Sequence, residues 1–178
     1  MQESPIDKWV FHKKGKGDID FYLRPKQPSY VSYRFTLEVD FPPQLVTDQL
    51  GKLDQRLKWD DGYEILKMVR DWEKPPSMVT QILYVKLKTV FLLGQREVMF
   101  LCQGYQDPQS GIIYLGNSST EHPEHPINEK IIRINSLAAH WILEPLDGGK
   151  RTRLTNISEL QFGGNVPKSL VQTSASER

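Results

Sequence analysis

The sequence is short of almost everything that marks a catalyst, a nucleic-acid binder or a membrane span. It has one cysteine, Cys102, so no internal disulfide framework can form, which suits a reducing compartment. No apolar run approaches the length that crosses a bilayer, and the N-terminal MQESPIDK leads into no apolar stretch of the signal-peptide kind. There is no basic run. Lys and Arg number 23 against 22 Asp and Glu, with the signs interspersed, so the electrostatic footprint of nucleic-acid binding is missing. Neither a nucleophile elbow nor a Gly-rich phosphate loop is present, and no His or Cys spacing is that of a metal site. The expectation is a soluble cytoplasmic domain spanning 1–178, with no catalytic residues, no cofactor, no metal and no nucleic-acid partner. At 178 residues the chain is long enough to bury a core without staples.

What is present is alternation. Val31, Tyr33, Phe35, Leu37 and Val39 alternate with Ser32, Arg34, Thr36, Glu38 and Asp40, which predicts a half-buried strand. Two short strands, Trp9–Phe11 and Ile19–Leu23, precede it around Lys14-Gly15-Lys16-Gly17. Pro42-Pro43 then opens a helix on which Leu45, Val46, Leu50, Leu53 and Leu57 form one stripe, with Gly51 a weak point in its interior. It ends near Trp59–Gly62. From there the predicted strands are Tyr63–Trp72, Met78–Val90, Arg96–Tyr105, Ile112–Ser119, Lys130–Leu146 and Arg151–Phe162. The turns between them suit a meander of antiparallel strands. Within Met78–Lys88, Val79, Gln81, Leu83, Val85 and Leu87 share one side.

The stretch Leu137–Val171 is the most informative. Asp147-Gly148-Gly149-Lys150 has the small residues of a tight hairpin turn. If Leu146 pairs with Arg151, Trp141 and Leu143 share a face with Leu154, Asn156, Ser158 and Leu160, and Glu144 lies across from Arg153 on the other. After Phe162-Gly163-Gly164 the chain turns, and Pro167 can open a helix. The fold class is therefore α+β: a strongly curved antiparallel sheet of eight to nine strands around a C-terminal helix. A gap between the helix and the sheet would be an apolar cavity.

Four stretches carry a family resemblance. Arg56-Leu-Lys-Trp59-Asp60 looks like an "R-x-x-W-D" helix end, and Gly94-Gln-Arg96-Glu-Val98 like an "S-x-R-D-x-V/Y" strand start. Gly111-Ile-Ile-Tyr-Leu with Ser118-Ser-Thr-Glu-His-Pro looks like an "S-V-x-H-P" strand. Trp141-Ile-Leu-Glu-Pro-Leu and Leu154-Thr-Asn-Ile with Gly163-Gly-Asn-Val-Pro-Lys168 look like two last strands and the start of a closing helix. In this order the chain, from about Trp9 to Val171, resembles a START domain, the lipid-transfer module related to steroidogenic acute regulatory protein.

The resemblance implies a helix-grip fold holding one membrane lipid in a tunnel. It implies a wall made of Gln81, Leu83, Val85, Arg96, Val98, Phe100, Cys102, Asn117, Trp141, Leu154, Asn156, Ser158 and Leu160. It implies two gates, Phe91, Leu92 and Leu93 in the first and Phe162, Gly163, Gly164 and Val166 in the second. Apolar residues in an exposed turn are costly unless they have somewhere to go, so transient contact with a membrane surface is expected. The family's first gate usually has a proline and a tryptophan, where Phe91 and Leu92 stand here. Sterol-carrying members place a buried arginine at the position of Cys102 and its acidic partner at that of Leu83. Both are absent, so a phospholipid or sphingolipid ligand is expected over a sterol. Asn117 matches an asparagine of ceramide-carrying members. Against the family pattern the opening helix is expected to be absent and the closing helix to be cut short at Ser174–Arg178, and the expectation is a piece of a longer protein with flanking domains. A lipid-sensing domain of such a protein is the alternative to a carrier.

Several residues admit two readings. Asn156 and Ser158 contact a lipid head group, or they hydrogen-bond to each other within the sheet; Gln81, Asn117 and Ser119 pose the same choice. Arg96 contacts a head group, or ties the gate to a carboxylate such as Asp60. Cys102, with no Lys or His beside it in sequence, reads as an inert thiol on the cavity wall. His122 and His125 in Glu121-His-Pro-Glu-His125 would need a helix to share a metal, and the prolines forbid one. His140 is placed on the outer face.

Overall fold

The computed structural model describes residues 9–15, 19–24, 31–72, 78–90 and 94–164. Phe91, Leu92, Leu93, Val166 and the helix predicted from Pro167 lie outside the described residues. The elements are β1 (Val10–Lys14), β2 (Asp20–Leu23), β3 (Val31–Val39), α1 (Pro43–Gly51), α2 (Leu53–Trp59), β4 (Tyr63–Trp72) and β5 (Met78–Val90). After them come β6 (Gly94–Gln106), β7 (Ile113–Ser119), β8 (Ile132–Arg133), β9 (Asn135–Leu146) and β10 (Arg151–Gln161). All strands join one 10-stranded sheet in the order β1-β2-β3-β10-β9-β7-β6-β5-β4, with β8 beside β6.

This order follows from two meanders joined in the middle. β1–β3 form one, and β4–β10 form the other. They meet where β3 pairs with β10, from Thr152 opposite Val39 to Leu160 opposite Val31. The chain leaving β3 must therefore cross the sheet to begin β4 at its far edge. α1 and α2 make that crossing: α1 lies against β9 and β10, and α2 against β4.

Four expectations are corrected. Among the described residues ten strands form where eight to nine were expected. The single predicted helix breaks at Lys52, whose backbone is extended (φ −79°, ψ 118°), next to the weak point at Gly51. The apolar stripe is narrower than read: within α1 Val46 and Leu50, one turn apart, reach the core while Leu45 stays exposed, as does Leu57 of α2. The predicted strand Lys130–Leu146 divides at Ile134, and its first part, β8, runs parallel to β6 rather than antiparallel. The Ile134 N–H donates to the Glu97 carbonyl at 2.8 Å, which holds β8 in place.

The hairpin register is as read. Arg151 faces Leu146, Leu154 faces Leu143, Asn156 faces Trp141 and Arg153 faces Glu144. Asp147, Gly148 and Gly149 all have positive φ, 50°, 67° and 87°, which explains two glycines in the turn. Arg153, however, pairs with Glu38 of β3 at 3.0 Å, its neighbour on the other side.

Two apolar clusters hold the sheet. Ile113, Leu143 and Leu154 pack with Leu37, Val46, Leu50, Leu115 and Trp141 beneath α1. Val85, Val98 and Ile134 pack with Tyr63, Leu66, Leu87, Phe100 and Phe162. Leu143 is wholly buried; cutting such a side chain to alanine costs about 2–5 kcal/mol.

Candidate functional site

Side chains two apart on a strand share a face, and register lines them up across neighbours. One row on the inward face reads Val79, Gly104, Leu115, Trp141, Asn156 and Phe35. The next reads Gln81, Cys102, Asn117, Ala139 and Ser158, followed by Leu83, Phe100 and Ser119, and then Val85 and Val98. A polar row thus sits between apolar ones.

A cavity of about 370 Å³ lies between these rows and the two helices, within the roughly 300–1,000 Å³ usual for ligand sites. Gln81, Leu83, Val85, Phe100, Cys102, Asn117 and Trp141 line it, as do Leu66, Val79, Gly104 and Leu115. Arg96, Val98, Leu154, Asn156, Ser158 and Leu160, also named from the sequence, do not line it. Val98 is buried against Val85, and Leu154 lies under α1. Leu160 is half-buried near the end of β10. The Ser158 hydroxyl donates to Asn156 Oδ1 at 3.0 Å, and Asn156 Nδ2 donates to the His140 carbonyl at 3.3 Å. That pair is therefore satisfied within the sheet.

Asn117 is not. Its Oδ1 is buried and has no hydrogen-bond partner. A buried acceptor without a donor is costly, so this atom needs an O–H or N–H, which water or a bound molecule can supply. Beside it, burial pushes the Cys102 thiol up to about 12, leaving it neutral and unreactive at physiological pH.

Sequence reasoning missed the contribution of the helices. Gln44, Thr47, Asp48, Leu50, Lys52, Leu53 and Arg56 all line the cavity. No periodicity marked the polar ones, because they face a hollow and not a packed core. Gly104 was also missed, though a glycine at an inward position of an alternating strand was a legible signal of missing bulk.

Arg96, buried to 5 % exposure, is not among the residues that line the cavity. The expected link to Asp60 does not form. Asp60 is engaged by Arg56 at 2.8 and 3.0 Å; Arg56 also donates to the Tyr63 hydroxyl at 3.0 Å and lies over the Trp59 ring. Arg96 instead donates to three backbone carbonyls: Gly94 at 3.2 Å, Phe162 at 3.2 Å and Gly163 at 3.4 Å. It clasps the start of β6 to the chain leaving β10. Gly163 and Gly164 are both left-handed, φ 65° and 63°, and a Cβ on Gly163 would come within 2.8 Å of Ile132 Cγ2. Only glycine fits that hinge.

On the opposite face, Glu97 accepts from Tyr84 at 2.8 Å and from Arg133 at 2.6 and 2.9 Å. Burial first, then the bond to Glu97, pushes the Tyr84 hydroxyl up to about 12. His125 stacks on Tyr84 with ring centres 4.8 Å apart, and His122 Nδ1 accepts from the Glu124 N–H. Among the described residues no cluster of three or more His, Cys, Asp or Glu is placed to hold a metal ion, and no helix is long and apolar enough to cross a membrane.

The family model described as START domain matches residues 3–178. Three human structures are similar in fold. StAR-related lipid transfer protein 5 is 20% identical, TM-score 0.78, over 93% of this chain and 77% of its own. STARD10 is 18% identical, TM-score 0.79, over 94% and 66%. The StarD13 (DLC2) lipid transfer and protein localization domain is 20% identical, TM-score 0.77, over 95% and 82%. No curated protein matches the chain by sequence.

Proposed function

The chain belongs to the START domain family, a helix-grip fold with a large curved sheet, and from that premise we propose that it binds one membrane lipid in the cavity beneath α1 and α2 and transfers it between membranes. The observation that carries this reading is the buried Asn117 Oδ1, without a partner among the protein atoms, on the wall of a cavity whose sheet side also presents Leu83, Val85, Phe100 and Leu115. A lipid brings both things the site needs: an apolar chain for Leu83, Phe100 and Leu66, and a polar donor for Asn117. Burying the chain contributes about 25 cal/mol per Å² of apolar surface.

The ligand is a phospholipid or a sphingolipid rather than a sterol. A neutral thiol, Cys102, and Leu83 stand on the wall, and neither is the charged partner a lone sterol hydroxyl would meet. A ceramide-like amide or hydroxyl is matched to Asn117. Relatives of similar fold are named as lipid transfer proteins. In this reading Phe91, Leu92 and Leu93 enter the membrane surface, and the Arg96 clasp on Phe162 and Gly163 releases as the lipid passes. Replacing Phe91 and Leu92 by serine slows transfer of a fluorescent ceramide between vesicles and leaves the Tm intact. Unchanged transfer removes the gate. Asn117→Leu weakens ceramide binding by about tenfold, the cost of one lost buried hydrogen bond; equal binding removes the head-group assignment.

A further inference from the structure

The loop between β7 and β8, residues 120–131, runs along the outer face of the sheet, and Pro123, Glu124, Ile127 and Glu129 on it are exposed. Between its ends, its ties to the sheet converge on one place. The His125 ring stacks on Tyr84 of β5 with 4.8 Å between ring centres. The His125 and Pro126 carbonyls each accept from Arg133 Nη2 at 3.3 Å. Arg133 is fixed in turn on Glu97, which also accepts from the Tyr84 hydroxyl. Glu97 is buried, so parting it from Arg133 strands a charge out of water.

Arg133 is half of β8, and Ile132 is the other half. Neighbours on a strand point to opposite faces. β8 lies beside β6 with Ile132 opposite Arg96 and Arg133 opposite Glu97. Arg133 reaches out to the loop, and Ile132 reaches in to the chain leaving β10. A Cβ on Gly163 would lie 2.8 Å from Ile132 Cγ2, and one on Gly164 would lie 3.0 Å from Ile132 Cδ1. Both glycines therefore rest against the Ile132 side chain. Ile134, two residues on, packs with Phe162 in the buried cluster. Arg96 clasps the same hinge through the Phe162 and Gly163 carbonyls. A two-residue strand gripped by the loop on one face and by the hinge on the other does not shift for one alone, because close-packed side chains switch between arrangements and do not stretch.

We infer that β8 couples the two: the state of the outer loop sets how readily the Phe162–Gly164 hinge opens, and with it the rate at which the cavity releases its ligand. The release step rests on the lipid-binding reading above; the coupling does not.

Hydrogen exchange mass spectrometry of the whole chain tests the coupling. His125→Ala removes the ring stack. Arg133→Lys keeps a charge for Glu97 and removes the fork that reaches the two carbonyls. Each variant speeds exchange in residues 121–131 and, with it, in residues 162–164 by about fivefold or more, while amides around Leu143 stay slow. A faster loop with an unchanged hinge overturns the inference, and so does a loop and hinge unmoved in both variants. Coupling is reciprocal. Gly163→Ala, which drives a Cβ into Ile132 from the inside, therefore speeds exchange in residues 121–131, and a loop that does not respond overturns the inference as well. Release of a fluorescent ceramide to phosphatidylcholine vesicles reads the consequence: the two outer variants release it faster by a similar factor. Unchanged release beside a faster hinge overturns the release step. An unaltered chain that takes up no ceramide counts against the lipid-binding reading, and the exchange result still decides the coupling.

Discussion

Replacing Arg96 by methionine keeps most of the apolar stem and removes the guanidinium. Arg96 is buried, and its three hydrogen bonds end on the carbonyls of Gly94, Phe162 and Gly163. A bond from a charged donor contributes about 1.5–3 kcal/mol net, and a buried carbonyl left unpaired costs about 1–3 kcal/mol. The lengths, 3.2 to 3.4 Å, fall at the weak end of the range. Losing a buried cation that has no carboxylate beside it also recovers some desolvation cost, and burial already pulls the Arg96 pKa down. The balance is a loss of about 2–4 kcal/mol, which for a chain of this size lowers Tm by roughly 5–15 °C. The loss is local in its consequences. Hydrogen exchange rises at the end of β10 and the start of β6, and stays slow around Leu143 in the other cluster. Urea unfolding gives the magnitude and exchange mass spectrometry gives the place. A change under about 1 kcal/mol, or faster exchange spread evenly over the sheet, would refute the clasp.

Further outcomes follow from the same geometry. Gly163→Ala forces a left-handed alanine against Ile132 and destabilises by about 1–3 kcal/mol; Ile132→Ala in the same chain recovers part of that loss in a denaturation cycle, and full additivity would contradict the contact. Arg133→Met leaves the buried Glu97 with Tyr84 alone and costs about 3–5 kcal/mol by urea titration; a neutral result would remove Glu97 from the supports of the outer loop. Cys102 is held neutral in the folded state, to about 12 from an ordinary 9.0, whereas the unfolded chain ionises it above 9.0. Stability therefore falls as pH rises from 9.0 toward 12, and Cys102→Ala flattens that slope. The His125 pKa is lowered, by burial first and then by Lys67. The unfolded chain then takes up more protons below 6.5, so the hold of His125 on Tyr84 weakens as pH falls through that value. Exchange in residues 121–131 at about pH 5 against about pH 7.5 measures it, and equal rates would contradict the shift.

The sheet was legible because strands announce themselves residue by residue. β3, β5 and β10 each alternate over most of their length, and the turn at Asp147–Gly149 fixes a register that the hairpin follows from Arg151 opposite Leu146 to Glu159 opposite Ala138, before it shifts by one residue at Leu160. The helices were harder. Their stripe was real, but Gly51 and Lys52 break it, and a periodicity count does not see a backbone change at one residue. β8 was hidden because two residues cannot display a period, and its place is set by one distant bond to Glu97. The site was legible on its sheet side, where alternation aims Gln81, Leu83, Cys102 and Asn117 at one hollow. It was not legible on its helix side, nor in the choice between readings of Asn156, Ser158 and Arg96. Those choices depended on which partner stood within 3.5 Å, and Arg96 found backbone carbonyls, which no side-chain pattern can advertise.

The central claim is that the hollow beneath α1 and α2 holds a single lipid with Asn117 on its polar part. Native mass spectrometry of the chain after exposure to a total membrane lipid extract tests it most directly. The account predicts a complex of one chain with one phospholipid or sphingolipid, diminished in Asn117→Leu. A folded chain that emerges from the extract with no added mass, or that takes up sterol alone, contradicts it.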